Sequence, residues 1–195
     1  MEPNLKVLPF RRRGLWRTVA ARFYEQTVGG MPADLREELR GRILDLPGVV
    51  EAPSRVPDVA GARAFLLEPR YAGGPPEAYL SEGEFALLDP LCGDALHLAL
   101  PRDLSDEAVV KGWGEMRPVA GDWGTSPIAF MAYDPKDEDE LDAVWRIVIA
   151  SYEFAHGSTA RSQHQAGRDE AAVIPSRLAL AEVAGVTSSS HAGRI

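Results

Sequence analysis

Between residues 49 and 133 the apolar side chains of this sequence recur at every second position, and on either side of that stretch they recur at every third or fourth. A period of two marks strands with one face turned inward, and a period near 3.6 marks amphipathic helices. Within the first region "ARAFLLE" (62–68) and "DALHLAL" (94–100) read as strands, the second reached through the turn "PLCG". "PEAYLSEGEFALLD" (76–89) reads as a hairpin turning at Ser81, Glu82 and Gly83, and "IAFMAY" (128–133) as a further strand.

The flanks and one insertion carry the helical period. Leu15, Val19 and Phe23, broadened by Trp16, Ala20 and Tyr24, form a stripe that Gly29 and Gly30 stop. Next, Leu35, Leu39, Ile43 and Leu46 recur at helical spacing, with Pro32 suited to the first turn and Pro47-Gly48 ending the element. "RDLSDEAVVKGWGE" reads as a short helix capped by Asp103 or Ser105 and closing near Gly112, followed by the loop "MRPVAGDWGTSP". Asp134 is expected to cap a long helix with Pro135 in its first turn. Its stripe is Leu141, Val144, Trp145, Val148 and Tyr152, and Gly157 ends it.

This order describes an α+β domain, an antiparallel sheet with helices packed on one face. The expected organisation is a basic amphipathic N-terminal helical arm (1–30), a single α+β domain (31–157) and a weakly structured C-terminal tail (158–195). In the tail only 176–184 suggests a helix, and "TSSSHAGRI" carries no apolar period.

Composition narrows the function classes. The 195 residues carry a formal charge of −8. Residues 1–30 hold six basic and two acidic side chains, and residues 31–155 hold eleven basic and 24 acidic. An acidic domain repels phosphate backbones, which disfavours nucleic acid as its partner. The basic arm then has its own acidic domain as the plainest partner. A lone cysteine, Cys92, excludes an intrachain disulfide and fits a cytoplasmic protein. No apolar run reaches the ~18 residues of a membrane span, and "FRRR" is not followed by the apolar core of a signal peptide.

Specific segments carry a resemblance. "LPGVVEAPSRV", "LHLALPRDLSDEAVVKGWGE" and "IAFMAYDPKDEDELDAVWRIVIASYEFAHG" resemble the actinobacterial luciferase-domain family, over roughly residues 35 to 157. The order of elements is similar to MmcQ/YjbR-like proteins of CyaY-like topology, although "AGDWGTSP" stands where those proteins carry Asn-Lys-x-His-Trp. The resemblance implies neither light emission nor flavin: a flavin-dependent luciferase is a (β/α)₈ barrel of about 250 residues with alternating parallel strands.

Strand alternation in "DALHLALP" sends Leu96, Leu98 and Leu100 to one face and Ala95, His97 and Ala99 to the other. The leucines should meet the helices, leaving His97 on the open face with room around it. Arg63, Glu77, Tyr79 and Tyr133 are expected to share that face, as register allows, with Met131. Lys111, Trp113 and Glu115 in "KGWGE" read as a rim, although for Trp113 packing back on the core is the favoured reading. Trp123 in its Gly-rich loop reads as a lid residue.

These residues suit a site for a small organic ligand or substrate. With His97 as acid or base, paired with Glu77 or Glu115, the site would support cofactor-free chemistry in an accessory or tailoring enzyme of specialised metabolism. The runner-up reading is a protein-interaction or regulatory module that uses the open face and the basic helix. No cofactor is implied, since neither a GxGxxG loop nor a Walker loop is present. No metal is implied either: His156, His164 and His191 match no zinc spacing, and "DEDELD" lacks the glycine-bearing calcium loop.

Overall fold

A computed structural model describes residues 8–11, 31–57, 59, 61–90, 95–118 and 128–158. Its elements run α1 (Ala33–Leu44), β1 (Val49–Pro53), β2 (Arg63–Leu67), β3 (Glu84–Asp89), β4 (Ala95–Leu98), α2 (Arg102–Val110), β5 (Gly114–Pro118), β6 (Ile128–Ala132) and α3 (Glu138–His156). The six strands form one sheet in the order β1-β2-β3-β4-β6-β5, every neighbouring pair antiparallel. This is the expected α+β class, and the antiparallel pairing rules out a (β/α)₈ barrel.

The helices share one side of the sheet. Leu35, Leu39 and Ile43 of α1 and Leu141, Val144, Ile147 and Val148 of α3 pack with Phe65, Leu96, Leu98 and Phe130 in one core, which Ala108 of α2 also joins. Helix α3 begins at Asp137, whose carboxylate accepts from the Glu140 amide at 2.9 Å. The cap is thus three residues later than Asp134, because Pro135 and Lys136 still belong to the loop. Helix α2 follows Pro101 with no side-chain cap, so neither Asp103 nor Ser105 serves; the Ser105 hydroxyl instead bonds back to the Pro101 and Arg102 carbonyls. At the far end of α3, Gly157 has φ 80°, the left-handed conformation that glycine accepts without strain.

Three expectations about strands also fail. The first arm of the 76–89 hairpin is a short 3-10 turn at Pro76–Ala78, since proline at its first position withholds a ladder donor. Strands β1 and β5 appear where no strand was expected. Each is five residues long, β1 ends in Pro53, and β5 begins with Gly114 and ends with Pro118, so breakers masked the short runs.

The opposite face is also covered over its middle. Val56, Val59, Ala62 and Leu80 lie with Ala64, Leu87, Ala99 and Ala129 in a second, smaller apolar cluster. Buried Glu84 anchors the β1–β2 connection there, accepting from the Ser54 hydroxyl at 2.8 Å and from the Arg55 amide at 2.6 Å. A bulge between Phe65 and Leu66 of β2 shifts register against β3, and both Phe85 and Ala86 reach the helix-side core.

Of the N-terminal arm, residues 8–11 are described, and they form a strap on the domain. Leu8 is buried in the helix-side core, Pro9 accepts a hydrogen bond from the Trp113 indole at 2.7 Å, and the Arg11 amide donates to Lys111 at 3.0 Å. The expected helix at 15–28 and the tail helix at 176–184 lie outside the described residues.

Candidate functional site

His97 sits mid-sheet on β4, on the side away from the helices. The register aligns Leu87, His97, Met131 and Glu115 across β3, β4, β6 and β5, so these four share a face. In the adjoining row Asp89 lies opposite Ala95. Tyr133, one residue beyond β6, continues that row, its amide donating to the Trp113 carbonyl at 2.9 Å. Small Ala95 separates Asp89 from Tyr133.

The face is not open at this point. His97 is 1% exposed and so is Asp89. The imidazole Nε2 lies 3.6 Å from Asp89 Oδ2, too far for a hydrogen bond. Neither ring nitrogen has a hydrogen-bond partner among the described residues. Leaving a buried polar group unsatisfied costs about 1–3 kcal/mol, and native folds contain few such groups. An imidazole beside a carboxylate is an acid or base with an orienting anion at hand.

Beyond Met131, Glu115 is half-buried, ion-paired with Arg117 two residues along β5, and it accepts from the Tyr133 hydroxyl at 3.4 Å. Glu115 is therefore two strands away from His97, and Asp89 takes the place expected for Glu77 or Glu115. As the last letter of an apolar run, Asp89 reads as a strand end. No signal in the sequence marks it, because its place opposite Ala95, two residues before His97, exists only once β3 and β4 are paired.

The remaining expected residues are scattered. Arg63 lies on the helix side, at 3.0 Å from Glu51. Glu51 faces Phe65 across the ladder and also pairs with Arg40 of α1 at 2.5 Å. The Arg40 hydrogen bond, with help from Arg63, holds the Glu51 carboxyl below its ordinary range against an opposing burial effect. Glu77 is exposed on the 3-10 turn. Tyr79 packs on the helix-side core and donates its hydroxyl to the Ala155 carbonyl at 2.7 Å; burial raises its pKa. Lys111 closes α2 and pairs with Glu107 at 2.8 Å. Trp113 is buried in the helix-side core. Trp123 lies outside the described residues. Of the expected set, Tyr133 and Glu115 meet, and Glu115 shares its sheet row with His97 across Met131.

A surface cavity of about 520 Å³ lies elsewhere, between the strap and the start of α3, lined by Phe10, Arg11, Trp113, Asp139 and Arg146 among others. Phe10 there is 69% exposed. Among the described residues no group of three or more His, Cys, Asp or Glu side chains is placed to hold a metal ion. None of the helices there is long and apolar enough to cross a membrane.

Fold and site together define an antiparallel α+β domain with a buried His–Asp pair on the sheet face away from its helices. Residues 82–151 match the family model described as Luciferase domain. The matched segment runs from just before β3 into α3 and contains Asp89, His97, Glu115 and Tyr133. No curated protein and no solved structure matches the chain.

Proposed function

We propose that this domain binds a small organic molecule against the sheet face carrying His97, Asp89 and Tyr133. The observation that carries the reading is the buried imidazole without a hydrogen-bond partner among the described residues. A bound molecule that donates to one ring nitrogen or accepts from the other satisfies it. The match of 82–151 to the Luciferase domain supports a small-molecule role, because the segment holds all of these side chains.

In its catalytic form the site performs cofactor-free proton transfer in an accessory or tailoring step of metabolism. His97 takes or gives the proton, and Asp89 stabilises the imidazolium from 3.6 Å. Native mass spectrometry of gently purified protein should show a retained small molecule. His97→Gln should weaken its retention by about 0.5–1.5 kcal/mol if the site only binds. With an acid/base role, turnover should fall about 10²–10⁴-fold at nearly unchanged affinity. Wild-type ligand retention and activity in both His97→Gln and Asp89→Asn would sink this reading.

A second reading, a protein-interaction module, rests on the exposed Phe10 at the cavity beside α3. It predicts a partner contact that Phe10→Ser abolishes and His97→Gln leaves intact.

A further inference from the structure

The Arg11 side chain is only 3% exposed, yet it belongs to a strap that precedes the domain. Its guanidinium reaches Glu140 through Nε at 3.3 Å and Nη2 at 2.7 Å, and Nη2 also donates to the Asp134 carbonyl at 2.8 Å. Its carbon centre stands 5.5 Å from the Trp113 ring centroid and 5.7 Å from that of Tyr133. Nη1 is buried and finds no hydrogen-bond acceptor among the described residues. The two ring faces give it the electrostatic contact that no oxygen supplies.

A salt bridge alone would need only Glu140. The geometry points to more: we infer that Arg11 is a positioning residue for the His97 face, holding Tyr133 where its hydroxyl can reach Glu115. The hold is double. Arg11 fixes the backbone just past Tyr133 through Asp134, and it fixes the ring by contact with its face. Tyr133 in turn donates to Glu115 Oε2 at 3.4 Å, and Glu115 shares its sheet row with Met131 and His97. Through Arg11 the N-terminal strap thereby reaches one wall of the site, by way of the Tyr133 ring and the Asp134 carbonyl just past β6.

The arginine side chain suits this task better than lysine. A planar fork can bond a carboxylate edge-on while lying between two rings, and an ammonium cannot do both. Arg11→Lys keeps the charge near Glu140 and loses the flat contact.

The inference rests on the His97 face being the ligand site, but its central claim is tested without any ligand. In ¹H–¹³C spectra of the aromatic side chains, Arg11→Ala and Arg11→Lys should each shift the Tyr133 ring signals and the His97 imidazole signals. Leu35→Ala, which destabilises the helix-side core at a residue that is no partner of Arg11, should move neither. Native mass spectrometry should then show ligand retention weakened roughly 2–5-fold in Arg11→Lys, the loss expected for one cation–π contact. If Arg11→Ala does not fold, the lysine variant carries the comparison alone. Unmoved Tyr133 and His97 signals, with a melting loss equal to that of Leu35→Ala, would overturn the positioning role. Wild-type ligand retention in His97→Gln alongside shifted Tyr133 signals would discard the ligand-site reading and keep the Arg11 coupling.

Discussion

The two faces of the sheet are built on different terms. On the helix side, leucines, phenylalanines and alanines from all three helices and from the strands merge into one apolar core. On the other side the apolar cluster is small, made mostly of alanines and valines, and it gives way to Glu84, Asp89 and His97, all of them buried. One face is filled to hold the fold. The other accepts buried polar groups that cost stability, and His97 is left without a hydrogen-bond partner among the described residues. Proteins concentrate such expense where they act, which makes the second face the place to look for chemistry.

The contrast breaks most visibly at Leu98, fully buried on the helix side next to His97. Leu98→Ala should cost about 2–5 kcal/mol, read by chemical denaturation, as lost burial plus a residual cavity. A loss below about 1 kcal/mol would mean that the helix face is not the main core. Glu84→Ala comes next, at about 1.5–3 kcal/mol, because it strips the Ser54 hydroxyl and the Arg55 amide of a charged acceptor. The accompanying change should be faster amide exchange along 54–57.

His97→Leu sharpens the contrast in the opposite direction. Exchanging an unsatisfied buried imidazole for an apolar side chain of similar size should raise stability by about 1 kcal/mol, or roughly 2–4 °C in melting temperature, while abolishing ligand retention. A destabilised variant would show that the imidazole is satisfied in solution.

The smallest effect belongs to the helix-side rim. Glu51 has its pKa lowered, first by the Arg40 hydrogen bond, so the native state favours its ionised form. Its contribution is fully present above its ordinary value of 4.5 and is lost as pH falls through the lower folded value. Melts between pH 3 and 6 should show Glu51→Gln losing less stability on acidification than wild type. Parallel curves would remove Glu51 from the acid limb.

The helix-side face was legible in the sequence because it is periodic. Leu35, Leu39 and Ile43, or Leu96 and Leu98, announce themselves by spacing, and all of them are in the core. The other face was legible only in part. Alternation put His97 opposite the leucines, which the register reproduces. It could not say that the β1–β2 connection returns over that face, because Val56 and Val59 lie in a stretch broken by prolines and glycine. Nor could it pair strands. Arg63 was expected beside His97, but β2 meets β3 with a bulge, and Arg63 ends opposite Leu88 on the helix side. Asp89 stayed hidden for the same reason, since its nearness to His97 exists only once β3 and β4 are aligned.

The strap has a consequence in time. Arg11 and Glu140 are 129 residues apart, so the N-terminal cation leaves the ribosome long before its carboxylate exists. At about 5–20 residues per second the interval is roughly 6–26 s, far longer than a hairpin needs to form. The meander β1–β4 can assemble in that window from neighbouring segments, with the N-terminal residues still unattached. Latching of the strap then becomes a late event, and a nascent chain stalled before α3 would carry Phe10 and Arg11 without their acidic counterpart.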